Sequence, residues 1–456
     1  MKAKLSLLLA LVLAFTLVFS ACDNKKQNEA DGDEPVSDAP VGDTQEDAST
    51  GVGPAGKITV QVEEAWLPHY EAAAARVKEA YPDVEIEFIT VGSFDHLDTI
   101  DSTDVMNPDV ADVYAYPLDR LVNLADKEAL AAFDAPALAQ EVGGFDNFDN
   151  GIGAALKLGD NYFGIPYNIE TLVIFANEAN AAAEGIDLSQ PLEITTVTKP
   201  ETALLPIFDA WFGVALTNSA KVELLGKEGE NQFFSDLAKP WAELSPEHQS
   251  FIEGIFNYWK LNFEANTPLF DAESGRGYID DKFRSGNGGV VRLGGPWEIN
   301  AVKELTNDGA DLGIYPISQV TLNGQPLAHW QGGWALGINS RCEAEPEKLA
   351  LAKAMIAELI NPAHAVELFQ ATGKILENAG VDIYMNSELD EIDKKTIEAV
   401  INSYKDAVNR PLFREWGEVW DTYKNAVLSW NSVKPATPEE AYTQLEASFK
   451  SLLERH

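Results

Sequence analysis

Ile58-Thr59-Val60-Gln61-Val62, the run from Tyr70 to Ala80, and Val84-Glu85-Ile86-Glu87-Phe88-Ile89 together decide the fold. The first and last alternate apolar with polar residues, the period of a half-buried strand, while the middle run returns Ala, Val and Tyr at helical spacing. Strand, helix and strand in so short a space make a βαβ unit whose crossover helix covers a parallel sheet, so an α/β domain opens the folded chain. In open sheets of this kind ligands sit beyond the carboxyl ends of the strands. That rule selects the loop after the first strand, with Glu63, Glu64 and Trp66. It also selects the loop from Tyr116 to Arg120, after a strand over Pro108 to Ala115.

Further along, Thr171 to Phe175 reads as a buried strand, and the text from about Pro200 to Leu269 is mostly helical, so a second, helix-rich lobe follows. Gly289 to Leu293, Asp311 to Tyr315 and Trp334 to Ile338 return to strand, each bounded by Gly or Pro. Pro346 opens a helix that stops at Asn361-Pro362, and a second helix from Ala363 stops at Gly373. Ile392 to His456 is helical with one break at Asn409-Arg410-Pro411. No repeat of solenoid period is present.

Ahead of the fold, Met1-Lys2-Ala3-Lys4 is a basic start and Leu5 to Phe19 an apolar run too short for a membrane span, which together read as an export signal. Its exit, Val18-Phe19-Ser20-Ala21-Cys22, resembles a bacterial lipobox, which implies cleavage after residue 21 and lipidation of Cys22. Two or three acyl chains anchor stably where one does not. Residues 23 to 56 are acidic, Pro- and Gly-bearing and free of aromatics, and such a stretch extends rather than folds. It is read as a tether, with the folded part starting near Lys57.

The whole chain has 456 residues, 45% hydrophobic, enough for two or three domains. Against 33 Lys and Arg stand 73 Asp and Glu, and the net charge of -40 excludes nucleic acid as a partner and repels an anionic lipid surface. With Cys22 lipidated, Cys342 has no disulfide partner and reads as a buried small hydrophobe. The six histidines show no zinc spacing, the acidic glycine-bearing stretches miss the calcium-loop offsets, and no nucleophile elbow or phosphate loop occurs. No catalytic residue, metal ligand or cofactor is therefore assigned.

The lipobox, the tether, the βαβ start, Tyr162-Phe163-Gly164-Ile165-Pro166 followed by Glu170, Gly294-Gly295-Pro296-Trp297, and Gly332-Gly333-Trp334 to Ile338 occur in an order that resembles the extracellular solute-binding proteins of carbohydrate ABC importers, the maltose-binding-like family. The resemblance covers nearly all of residues 57 to 456. It implies a two-lobed periplasmic-binding-protein-like fold of the class II type, with chain crossings between the lobes and sugar held in the cleft between them. The lobes would be 57–167 plus about 332–373, and 168–331 plus about 374–456. It also implies Tyr116, Asp119 and Arg120 at the ligand, where a ring covers a pyranose face and the charged pair bonds vicinal hydroxyls. The alternative for Asp119-Arg120 is a surface ion pair. Glu170 falls at the family's cleft carboxylate, Trp297 on a tight turn at the cleft rim, Trp420 at a second stacking ring, and Trp330 near another crossing. Glu64 and Trp66 complete the candidate set. Asp421 stands where the maltose-binding protein itself carries an aromatic, a departure that counts against a malto-oligosaccharide ligand. Trp211, Trp241, Trp259 and Trp430 are read as packing, since their neighbours recur at helical spacing.

These readings converge on a lipid-anchored binding protein, expected as a monomer at the outer face of the bacterial cytoplasmic membrane. That is the cell surface in a single-membrane cell and the periplasmic side otherwise. It would capture a carbohydrate, an oligosaccharide by preference, and pass it to ABC permease subunits. The alternatives are a surface-anchored glycoside hydrolase and a binding protein for a non-sugar solute.

Overall fold

The computed structural model describes residues 52–145, 148–229 and 231–456. The export segment, Cys22 and most of the acidic stretch lie outside the described residues. The strand Lys57–Val62 runs parallel to Glu85–Thr90, Lys57 facing Glu85 and Val62 facing Thr90. Its alternation buries Ile58, Val60 and Val62 completely. The intervening helix Leu67–Ala80 carries Pro68 in its first turn, where no intrahelical donor is needed, and buries Tyr70, Ala73, Ala74 and Val77.

These strands belong to a seven-stranded sheet in the order Ile375–Leu376, Ile165–Glu170, Trp330–Ile338, Val113–Pro117, Lys57–Val62, Glu85–Thr90, with Val408–Asn409 paired alongside Trp330–Ile338. The expected division after residue 167 falls inside the strand Ile165–Glu170, and the one after 373 just short of Ile375–Leu376. Asp112 pins the sheet to the chain that returns to it. Its carboxylate accepts from the Thr59 backbone N–H at 2.8 Å and meets Arg341 Nε at 2.7 Å and Lys348 Nζ at 3.0 Å. The buried Cys342 thiol donates to the same group at 3.4 Å.

A second, four-stranded sheet runs Leu312–Pro316, Val173–Asn177, Val291–Gly294, Ala203–Leu204. The long helices Pro246–Glu264, Val419–Leu428 and Pro438–Leu453 pack on its side of the molecule and bury Trp259 and Trp430. The region read as mostly helical contains a hairpin, Gly226–Gly229 with Gln232–Phe234. The C-terminal helical run breaks a second time at Lys434, which takes a left-handed conformation at φ 55°. Two sheets with their own helices make two lobes, and the chain passes between them directly after Glu170.

No single described helix is long and apolar enough to cross a membrane. Among the described residues no cluster of His, Cys, Asp or Glu is placed to hold a metal ion.

Candidate ligand-binding cleft

A cavity of about 950 Å³ is lined from both sheets' ends. On the first lobe, Glu63 leaves the end of Lys57–Val62 and turns to the start of the helix Ser93–Ser102. There Ser93 Oγ and the Ser93 backbone N–H donate to its Oε1 at 2.7 and 3.2 Å, a helix start that favours negative charge. Trp66 ends the next turn. The strand Ile165–Glu170 delivers Glu170, whose Oε2 accepts from Trp334 Nε1 at 3.2 Å. Gly373 ends the helix Ala365–Thr372 at φ 71° and directs Lys374 between two indoles, its Nζ 4.7 Å from the Trp66 ring centre and 4.8 Å from that of Trp334. Burial pushes the Glu170 carboxyl above its ordinary range and the Lys374 ammonium below its own, while each charge opposes the other's shift. Phe94 stands edge-on to Trp334 at 5.2 Å and is 62% exposed, forming the lip of this wall.

The second lobe supplies a packed set of indoles. Asp209 caps the helix Ala210–Ser219 by accepting from the Trp211 backbone N–H at 3.0 Å, which fixes Trp211 at the helix start and in the cleft. Its ring lies 6.5 Å from Trp297 and 6.4 Å from Trp420. Trp416 and Trp420, one helical turn apart, meet edge to face at 4.9 Å. Trp297 follows the strand Val291–Gly294 and folds back over Gly295, where any Cβ would lie 2.1 Å from the indole. Beside it Arg276 covers the Phe212 ring at 5.1 Å and stands 3.6 Å from Asp209 and 3.8 Å from Glu298.

Of the residues expected at the ligand, Asp119, Arg120, Glu170, Trp297, Trp420 and Trp66 line the cavity. Asp119 and Arg120 do not pair with each other: Asp119 holds Arg410 at 2.5 Å, and Arg120 holds Asp101. Three expectations need correction. Tyr116 is fully buried, its hydroxyl donating to the Phe163 carbonyl at 3.1 Å, because the strand Val113–Pro117 points it into the core on the side of Tyr114. Trp330, 3% exposed, stands behind the wall, 4.8 Å from Trp416 and 5.8 Å from Trp420, and supports the rings rather than presenting one. Glu64 is exposed away from the cavity, since its neighbour Glu63 holds the inward place at the strand end. Conversely, Trp211, read as packing, lines the cleft. Its helix is buried nearly all round, so apolar spacing marks no face. The sequence reading also passed over Phe94, Asp209, Arg276, Trp334, Lys374, Arg410 and Trp416. Only Trp334, inside the Gly332-Gly333-Trp334 stretch, and Arg410, at the break before Pro411, stood in sequence already singled out.

Two α/β lobes walling a deep aromatic cleft make the architecture of a two-lobed binding protein with its ligand site between the lobes. The sequence places it more closely: residues 65–366, about two thirds of the chain, match the bacterial extracellular solute-binding protein family, and the chain belongs to that family. Its place is accordingly extracytoplasmic. No curated protein sequence matches the chain. Among solved structures it is similar to the maltose-binding periplasmic protein MalE of Listeria monocytogenes in complex with maltose, at 19% identity and TM-score 0.63 over 88% of this chain and 99% of that one. MalX of Streptococcus pneumoniae in complex with maltopentaose gives 19% and 0.64 over 86% and 99%. The GacH receptor of Streptomyces glaucescens, solved unliganded and with acarbose, gives 17% and 0.62 over 88% and 99%. At these identities the likeness is one of fold.

Proposed function

We propose that this protein captures a neutral oligosaccharide in the cleft and delivers it to an ABC importer, from an anchor on lipidated Cys22 at the outer face of the cytoplasmic membrane. The observation that carries the reading is the composition of the cavity wall. Six of the ten tryptophans line it: Trp66, Trp211, Trp297, Trp334, Trp416 and Trp420. Indole faces suit the C–H faces of pyranose rings. In a chain of net charge -40, the cavity wall carries five carboxylates and five Lys or Arg side chains, so it offers no net field to a polyamine or a phosphorylated solute. Carboxylates and guanidinium groups held this way present acceptors and donors to hydroxyls. A volume of about 950 Å³ stands at the upper end of ordinary ligand pockets, more room than a monosaccharide fills. The likeness to structures solved with maltose, maltopentaose and acarbose supports a glycan.

The test is a thermal-shift and tryptophan-emission screen over neutral glycans, polyamines, peptides and sugar phosphates. Stabilisation by at least one neutral oligosaccharide is expected, with none by the charged solutes. Response to a charged solute alone would overturn the sugar assignment. Reducing ends appearing during incubation with the bound glycan would replace capture by hydrolysis.

A further inference from the structure

We infer that Arg410 is the positioning residue of this cleft: its guanidinium fills a box of three indoles and clamps Asp119, so that the chain itself occupies the place an organic cation would take. The inference rests on the sugar reading above for its consequence, but not for its geometry. The short strand Val408–Asn409 pairs in parallel with Trp330–Gln331 and sets Arg410 at the lobe junction just before Pro411. From there Arg410 Cζ lies 5.3 Å from the ring centre of Trp211, 5.5 Å from Trp330 and 5.6 Å from Trp420. Its Nη2 meets Asp119 Oδ2 at 2.5 Å, and only 6% of the side chain is exposed. Asp119 comes from the first lobe's sheet end, Trp211 and Trp420 from the second lobe's helices. One side chain therefore ties a carboxylate on one side of the cleft to the indoles on the other.

An indole box closed by a carboxylate is the chemistry that recognises organic cations. Here the box is satisfied from within. A planar guanidinium can bond a carboxylate at its edge while lying against rings, which an ammonium cannot do as well. Two consequences follow. This box is closed to free ammonium and guanidinium ligands. Asp119, which the family resemblance assigns to sugar hydroxyls, keeps only Oδ1 without a hydrogen-bond partner among the described residues. The Arg410 Nε–H is likewise unpartnered. Sugar recognition at this end therefore runs through rings that Arg410 has already oriented.

The experiment uses the full chain and its Arg410→Ala and Arg410→Lys variants, with methylguanidinium and maltotetraose as probes. In the sugar-independent arm, millimolar methylguanidinium should shift the tryptophan emission and raise the melting temperature of Arg410→Ala while leaving wild type unchanged. In the sugar arm, Arg410→Lys should bind maltotetraose about threefold to thirtyfold more weakly, the range a desolvated cation–ring contact accounts for. Methylguanidinium should restore part of the affinity lost in Arg410→Ala. Should Arg410→Ala not fold, Arg410→Lys carries the test, its emission spectrum being expected to differ from wild type. Overturning results are a methylguanidinium response equal in wild type and Arg410→Ala, or variants with wild-type emission and affinity. If wild type binds neither maltotetraose nor any other neutral glycan, the sugar reading fails, and the methylguanidinium and emission results alone decide the role of Arg410.

Discussion

Removing the Trp297 ring is the sharpest probe of the cleft, because its contribution is separable from folding. The indole is 43% exposed. Of the roughly 250 Å² a tryptophan can bury, about 100 Å² is therefore left for a ligand. At about 25 cal/mol per Å² full cover would contribute about 2.5 kcal/mol, and cover of one face about half of that. Stacking geometry adds about 0.5 to 1.5 kcal/mol. Trp297→Ala is thus expected to cost about 1.5 to 2.5 kcal/mol of binding, roughly a ten- to seventyfold rise in Kd. Its effect on folding should stay within about 1 kcal/mol, since the ring rests mainly on Gly295 and touches its neighbour Trp211 only at 6.5 Å between centres. Gly295→Ala gives an independent reading of the same idea. The new Cβ would stand 2.1 to 2.3 Å from three atoms of the indole, so the ring must swing away although every ring atom is kept. The backbone at Gly295, with φ at -122°, accepts any residue. Isothermal titration with the tightest glycan from the screen, alongside urea unfolding, measures both variants. Wild-type affinity in Trp297→Ala would refute the stacking role. A loss in Trp297→Ala without one in Gly295→Ala would refute the claim that the ring's position matters.

Three further outcomes follow from the folded chain. Cys342 is buried and its thiol is pushed up to about 12 by burial and by the nearby Asp112, so native protein should resist maleimide labelling that urea-unfolded protein accepts; labelling at equal rates would contradict this. Asp112→Asn should cost about 3 to 5 kcal/mol in urea unfolding, because Arg341 and Lys348 would lose their shared buried counter-charge; a loss under 1 kcal/mol would show the cluster to be incidental. His329 is held neutral by burial, its pKa lowered to about 3, with Nε2 at 2.8 Å from the Trp211 carbonyl. Below about pH 6.5 the unfolded chain takes up a proton there that the folded chain refuses, so stability falls as pH drops from about 6.5 toward 3, by about 1.4 kcal/mol per unit for this site. His329→Gln should flatten that slope relative to wild type, and parallel slopes would remove His329 as its source.

The parts of the fold legible in the sequence were those written in local periodicity. The βαβ opening, the helix beginning at Pro346 and the stop at Gly373 all emerge within three residues of their expected limits. The cleft was legible only where a loop motif placed a ring, as at Trp297. Elsewhere the information was not local. Val113–Pro117 is buried on both faces, so alternation gives no sign of whether Tyr116 or Pro117 faces the cleft. The bond between Arg410 and Asp119 closes over 291 positions and that between Trp334 and Glu170 over 164, and no pattern around either partner announces the other. Single cations at element ends, such as Lys374 and Arg410, carry no periodic signal whatever.

How these cations are placed bears on affinity itself. On the first lobe Lys374 lies between Trp66 and Trp334; at the lobe junction Arg410 lies among Trp330 of the first sheet and Trp211 and Trp420 of the second lobe. Each cation holds its rings in one arrangement before any ligand arrives, so the rotamer entropy of those indoles is lost during folding and not during binding. Two rings of the cavity wall stand both outside these cation contacts and exposed, Phe94 at 62% and Trp297 at 43%, one from each lobe. Both stand in the cavity wall, and both are large apolar surfaces left in water. If capture draws the lobes together over a glycan, these are the rings whose burial remains to be gained, so the apolar drive toward the closed state is concentrated in them while the fixed indoles supply orientation.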